Sequence, residues 1–294
     1  MAKRDWVVVK VPYGGGYCSL NLAKPKGTKY APDALQKEFE RQSIFMADNG
    51  NTKKPEWFNL GALQTNSREA WVMMNKWVCS LSQNFMHENN MLFLGGSHTI
   101  TYSTFSALRQ VYGQEVGLVV LDAHPDCCNK ADWPIHSDWL AKLIFDKERG
   151  YRVFPPNILL LGVRQIEPAE LEFMKKHGIT YYPISRLGDP KYAFTGSWSL
   201  SIELERLAKL EATYVSVDID VVSGAYAPGT GCPSPGGLTD TEVIGLVKLL
   251  KGKLRNLRAI DIVEIEPLNW WRKKILRYDA TVDLGVKLIK EIVS

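Results

Sequence analysis

The chain has 294 residues, with 36 lysines and arginines against 32 aspartates and glutamates, a formal net charge of +4 and 45% hydrophobic residues. That composition is of an ordinary folded protein, and so small a charge excess argues against a nucleic-acid partner. No apolar run reaches the ~20 residues a membrane helix needs, and five cysteines with Cys127 and Cys128 adjacent make no disulfide framework.

Asp5 and Lys10 interrupt any secretory signal near the N-terminus, so a reducing, cytoplasmic setting is expected. Short apolar and β-branched runs predict strands at Trp6–Val11, Met91–Leu94, Val116–Leu121, Ile158–Val163, Thr180–Pro183, Tyr214–Ile219 and Arg258–Val263. Amphipathic spacing predicts helices over Pro32–Arg41, Arg68–His87, Thr99–Val111, Ile135–Lys147, Pro168–His177, Leu200–Leu210, Asp240–Leu250 and Ala280–Ile292. Thr239 followed by Glu242 reads as a capping box, and Gly113, Gly178 and Gly252 as residues just past helix ends. The basic run from Arg272 to Arg277 is read as a solvated face. Strands apolar on both faces and separated by helices imply an α/β fold: a mainly parallel sheet in a single three-layer domain over residues 1–294.

In such sheets ligands bind beyond the carboxyl ends of the strands, and the chemically informative residues fall there. His98 follows one strand in Gly95-Gly96-Ser97-His98; Asp122, His124 and Asp126 follow the next; Asp218 and Asp220 close a third; Glu264 follows the last. In an extended segment residues i, i+2 and i+4 share a face, so Asp122, His124 and Asp126 are expected to project together, and Asp218 with Asp220. Four aspartates that close would repel and raise one another's pKa unless cations neutralised them. With two histidines they are too many ligands for one tetrahedral zinc and suit two ions of the Mn²⁺ type, with bridging carboxylates. The bland alternatives are a turn with a satisfied histidine and a pair of loop-capping aspartates.

The segments Gly95–His98, Asp122–Asp126, Ser216–Thr239 and Asp261–Pro267 resemble the ureohydrolases, that is arginases, agmatinases, formiminoglutamases and their relatives, and weaker similarity covers nearly the whole chain. The resemblance implies an arginase-like fold and two Mn²⁺ per chain. His98, Asp122, Asp126 and Asp218 would hold one ion, and His124, Asp122, Asp218 and Asp220 the other. It further implies that Glu264 holds a guanidinium, that Asp126 passes a proton to the leaving amine, and that His136 relays protons. Glu167 would receive a substrate ammonium, while Asn129 and Lys130 would meet a carboxylate. The expected partner is a small guanidino or formimino substrate, with urea released from an arginine or agmatine-like molecule or formamide from formiminoglutamate. Trimers or hexamers are implied as the homo-oligomer.

Several residues depart from the family pattern. Ser97 stands beside His98 in place of a common aspartate, Ser223-Gly224 replaces Asp-Pro, and His136 lacks its usual following glycine. These departures motivate a competing reading, a non-catalytic assembly or regulatory subunit, which the complete ligand set opposes. A deacetylase-like hydrolase is a third reading, opposed by Glu264, because a neutral acetamide offers that carboxylate no cation. Cys127 and Cys128 are expected to be packing residues, and His87 and His177 structural.

Overall fold

Among the described residues eight strands form one sheet: β1 (Trp6–Val11), β2 (Glu56–Asn59), β3 (Asn90–Gly95), β4 (Val116–Leu121), β5 (Ile158–Val163), β6 (Thr180–Pro183), β7 (Ala212–Asp218) and β8 (Leu257–Val263). Their order is β2-β1-β3-β8-β7-β4-β5-β6 and every pairing is parallel. The computed structural model describes residues 4–15, 27–46, 55–61, 68–128, 136–145, 152–187, 198–268 and 279–294. Asn129, Lys130 and the basic run at 272–277 lie outside the described residues.

All seven expected strands form, and β2 is an eighth that sequence patterning missed. It has four residues with exposed ends on the sheet edge, too short and too polar to show an apolar run. The strand expected over Tyr214–Ile219 begins at Ala212 and ends at Asp218, and Ile219–Val221 turn into a 3₁₀ segment.

The helices are α1 (Ala31–Met46), α2 (Arg68–Phe85), α3 (Ile100–Tyr112), α4 (Trp139–Phe145), α5 (Pro168–His177), α6 (Ile184–Leu187), α7 (Trp198–Leu207), α8 (Asp240–Lys253) and α9 (Ala280–Val293). Thr239 and Glu242 make the expected capping box, with Glu242 N–H on Thr239 Oγ1 at 3.2 Å and Thr239 N–H on Glu242 Oε2 at 2.8 Å. Gly178 takes the left-handed conformation at φ +68° just past α5. Gly252 does not end its helix: it lies inside α8, whose cap is Leu254, with its N–H on Leu250 O. The helix expected from Ile135 starts only at Trp139, after a turn over residues 136–138; Ile135, Asp146 and Lys147 lie outside the described residues.

Alternate strand residues feed two apolar layers, as the period-two pleat requires. Val8, Leu92, Val119, Val215 and Ile260 pack toward Leu35 of α1, Leu204 of α7, Leu246 of α8 and Leu288 of α9. Val7, Val9, Met91, Phe93, Leu118 and Tyr214 pack toward Trp71 of α2, Phe105 of α3, Trp139 of α4 and Met174 of α5. The sheet is therefore buried on both faces, the three-layer arrangement expected of a parallel sheet. Its four central strands, β3, β8, β7 and β4, are neighbours in that order. Segments scattered from residue 95 to residue 264 thus finish side by side at one rim.

Candidate metal centre

His98, on the turn after β3, points its Nδ1 at three carboxylates. Asp126 Oδ2 lies 3.0 Å away, Asp218 Oδ2 3.1 Å and Asp122 Oδ2 3.2 Å. A second set surrounds His124, whose Nδ1 is 3.0 Å from Asp220 Oδ2 and 3.5 Å from Asp122 Oδ1. Asp122 belongs to both, one oxygen to each. His98 Nδ1 and Asp122 Oδ2 are buried and make no hydrogen bond despite these approaches. Orphaned, converging nitrogen and oxygen lone pairs are what a cation satisfies and hydrogen bonds here do not. Two overlapping groups, His98–Asp122–Asp218 and Asp122–His124–Asp220, each bring their ligand atoms within 4.8 Å of one another. The mixed N/O donor set fits divalent ions of the Mn²⁺ type.

The convergence does not come from extended segments. Asp220 sits in the 3₁₀ turn after β7, where Asp218 Oδ1 accepts the Asp220 N–H at 2.9 Å. Capping by Asp218 and a place in the cluster are therefore compatible, because each carboxylate oxygen has its own task. The chain bends after Asp122, whose Oδ1 accepts the His124 N–H at 2.7 Å, and Asp126 adopts φ +50°. Among the described residues Glu264 is the other non-glycine at positive φ, +61°. Strained backbone at two acidic residues of one rim is the signature of a functional constraint. Gly96 is required by close approach: a Cβ there would fall 2.4 Å from Tyr13 O.

Electrostatics follow from crowding in a buried site. Burial alone would lower the His98 pKa, but the surrounding carboxylates raise it well above the usual imidazole value; His124 is raised likewise by Asp122 and Asp220. Burial and the neighbouring carboxylates raise Asp218 and Asp220, and burial with the Asp122 charge pushes Asp126 up to about 6. Asp122 alone is lowered: burial would raise it, but two histidines flank it and outweigh that cost.

Behind His98 lies a network that sequence reading had given no role. Asp261 of β8 is fully buried and faces Ser216 of β7 across the sheet register. Ser216 Oγ donates to Asp261 Oδ1 at 2.6 Å, while Thr101 Oγ1 and Tyr214 OH donate to Oδ2, each at 2.7 Å. With its proton committed to Asp261, Ser216 Oγ is left to accept from His98 Nε2 at 2.9 Å. A neutral His98 ring therefore carries its proton on Nε2 and directs the Nδ1 lone pair at the carboxylates. Ser97, the departure beside His98, turns instead to Thr99 Oγ1 at 3.0 Å, so the ring is oriented from β7. The signal for Ser216 and Asp261 was in the sequence: polar residues inside strands otherwise apolar on both faces demand buried partners.

His124 has a different support. Its Nε2 lies 2.8 Å from Gln165 Oε1, and the Gln165 amide donates to Ser234 Oγ at 2.8 Å. Arg164 fastens the same loop, donating to the carbonyls of Asp220 at 2.5 Å, Pro235 at 3.1 Å, Val221 at 3.3 Å and Ser234 at 3.3 Å. Ser223 makes its own turn, accepting on its carbonyl from Tyr226 and Ala227 N–H. Glu264 Oε1 accepts the His98 N–H at 2.7 Å, which places that carboxylate beside the cluster.

Other expected residues fall elsewhere or lie apart. His136 is in the turn before α4, three residues from Trp139. Glu167 is exposed at the start of α5, where it forms a capping box with Glu170. Cys127 is buried in the apolar layer beneath α4 and α5, as expected of a packing residue, while Cys128 is half-buried.

A buried nitrogen and carboxylate cluster at the carboxyl ends of a parallel sheet, flanked by a glutamate, defines a metal-dependent hydrolase of the α/β class. The chain matches the arginase family over residues 4–294 and belongs to that family, whose members are metal-dependent amidinohydrolases. It is 27% identical over 274 residues to proclavaminate amidinohydrolase of Streptomyces clavuligerus, covering 90% of this chain and 81% of that protein. Formimidoylglutamase of Bacillus subtilis is 25% identical, with 89% and 82% covered. The crystal structure of arginase from Bacillus subtilis superimposes with a TM-score of 0.79 at 19% identity over 99% of both chains, a likeness of fold.

Proposed function

We propose that this ureohydrolase is a binuclear manganese enzyme that cleaves a C–N bond of a guanidino substrate, arginine or an agmatine-like amine, and releases urea. The observation that carries the reading is the double cluster around Asp122 with the Glu264 carboxylate fixed at its edge. His98, Asp122, Asp126 and Asp218 would hold one ion; His124, Asp122, Asp218 and Asp220 the other. When bound, such a pair would supply a water ionised near neutral pH, the nucleophile for the substrate carbon.

The residues of the chain do the rest. Glu264 holds the guanidinium in a charge-assisted contact and orients its carbon toward the cluster. Asp126, on the cluster side of α4, receives a proton there and delivers it to the leaving amine, and His136 exchanges that proton with solvent. Glu167 meets the ammonium of the substrate, directly or through water, and Asn129 a carboxylate where the substrate has one. Cys127 and Cys232 are free thiols, which supports a reducing, cytoplasmic location. A homo-oligomer, trimer or hexamer, completes the reading.

The test is a screen of manganese-loaded protein against arginine, agmatine, other guanidino acids and formimidoylglutamate, with urea and formamide measured separately. Urea from a guanidino compound is the expected result. Formamide alone would move the chain to formimidoylglutamate hydrolysis, and binding of less than one transition metal per chain would favour a non-catalytic role.

A further inference from the structure

Trp139 opens α4 and is fully buried, yet its indole N–H does not end in the apolar layer. It donates to Asp126 Oδ2 at 2.9 Å. That is the same oxygen that lies 3.0 Å from His98 Nδ1. The indole also lies against the His98 ring, with centroids 4.8 Å apart and planes inclined by 41°. The next residue grips Asp126 from the other end, Leu140 N–H reaching the Asp126 carbonyl at 3.2 Å. Asp126 is thus clamped at carboxylate and carbonyl by two consecutive residues of one helix, and it sits at φ +50°.

We infer that Trp139 is a positioning residue for the cation centre: its indole N–H holds the Asp126 carboxylate with Oδ2 facing His98 Nδ1, and its ring fixes the plane of His98. The inference rests on the metal-centre reading above and extends it. A buried tryptophan needs an acceptor for its N–H, and a carboxylate held by a donor on one lone pair presents its remaining lone pairs to a cation in a fixed direction. One side chain therefore sets the direction of one ligand and the tilt of another. Partners of this kind, standing behind metal ligands, change metal affinity or activity by about 10–100-fold when removed.

The decisive variant is W139F, which retains an aromatic ring against His98 and removes the N–H together with part of the indole's volume. Its Mn²⁺ affinity, measured by titration and electron paramagnetic resonance, should fall about tenfold. Turnover should fall with KM changed by less than about twofold, because the substrate contact at Glu264 is untouched. The spectroscopic readout is the set of indole N–H cross-peaks from the 9 tryptophans of ¹⁵N-labelled wild-type protein. The peak that W139F deletes should be among the first broadened by sub-stoichiometric Mn²⁺, and it should move in D126N, where an amide replaces the carboxylate acceptor.

Wild-type Mn²⁺ affinity in W139F, or a Trp139 peak indifferent to both Mn²⁺ and D126N, would overturn the inference. If W139F fails to fold, the wild-type peak broadened first by Mn²⁺ must still shift in D126N, and a peak that stays put overturns it equally. A wild-type protein that binds Mn²⁺ but hydrolyses no guanidino compound removes the substrate reading, while the affinity and cross-peak measurements still decide the role of Trp139.

Discussion

Glu264 and His98 are joined through the main chain: the Glu264 carboxylate accepts the His98 N–H at 2.7 Å, and the Glu264 N–H returns to Gly96 O at 2.8 Å. The two bonds lock the end of β8 to the turn after β3, so the proposed guanidinium contact cannot move independently of the cluster.

That lock shapes the first prediction. In Glu264→Gln the amide oxygen can still accept the His98 N–H, so fold and metal content should persist, while the charge facing a guanidinium is gone. Loss of one partner of a buried charge pair costs about 2–5 kcal/mol, so kcat/KM should fall by about 30- to 5,000-fold with KM raised and kcat lowered. Steady-state kinetics on the substrate found by the screen checks it, and near-normal urea release would remove Glu264 from its role.

Asp261→Asn tests the hydroxyl network. Three hydroxyls converge on this carboxylate, and an amide can accept on only one side. If the amide N–H₂ faces Ser216, the serine becomes an acceptor there and its proton turns to His98 Nε2. A neutral His98 ring is then forced to carry its proton on Nδ1, where it cannot ligate. We expect a stability loss of about 3 kcal/mol by thermal or urea unfolding, together with weaker Mn²⁺ binding. Histidine ¹⁵N shifts report the tautomer. Unchanged tautomer and affinity would show that Ser216 orients the ring without Asp261.

Much of this architecture is legible in the sequence. Strands such as Val116–Leu121 announce themselves because both faces are buried, and the clustered acidic residues follow strand ends where charge is otherwise hard to place. Two kinds of feature were hidden. The first is lateral: that β8 lies between β3 and β7, bringing Glu264 beside His98 and Asp261 beside Ser216, depends on strand order, which no local pattern encodes. The second is conformational: the positive φ of Asp126 and the 3₁₀ turn at Asp220 replace the extended spacing that the sequence suggested. The same residues converge, but by bends that the turn hydrogen bonds impose.

Metal removal should reveal a pH dependence with a definite sign. Asp126, Asp218 and Asp220 have folded-state pKa values above their usual ones, as do both histidines. A raised group binds its proton more tightly when folded, so its contribution to stability is present at low pH and lost as pH rises through the folded value. For Asp126 that window runs from 3.8 to about 6. Asp122, lowered, works the other way but is one group against five. The metal-free protein should therefore carry more uncompensated repulsion at pH 7.5 than at pH 5.5. The rise in Tm on adding Mn²⁺ should be larger at the higher pH, since fewer protons compete for the same oxygens. Scanning calorimetry with and without EDTA at both values measures it, and an equal rise at the two would contradict such crowding.

The two halves of the centre should also differ in how firmly they hold an ion. His98 is buried, and its ring is aligned through Ser216 onto an acidic partner. The His124 side chain is 25% exposed and leans on the neutral Gln165 amide. A carboxylate behind a histidine makes it a stronger ligand than an amide does, and an exposed ring exchanges more freely. Gln165→Ala should accordingly leave the His98 side loaded and empty the other, so that metal content after dialysis drops from two ions per chain toward one. Gln165→Glu should do the reverse and tighten the second ion, provided the Ser234 hydroxyl, which accepts from the Gln165 amide and donates to Cys232 O, turns to donate to the new carboxylate. Atomic emission on dialysed protein, with electron paramagnetic resonance to separate coupled pairs from single ions, distinguishes these states. Equal loss from both positions in Gln165→Ala would mean that the two ions are held as one unit through Asp122, and that the difference between their histidines carries no weight.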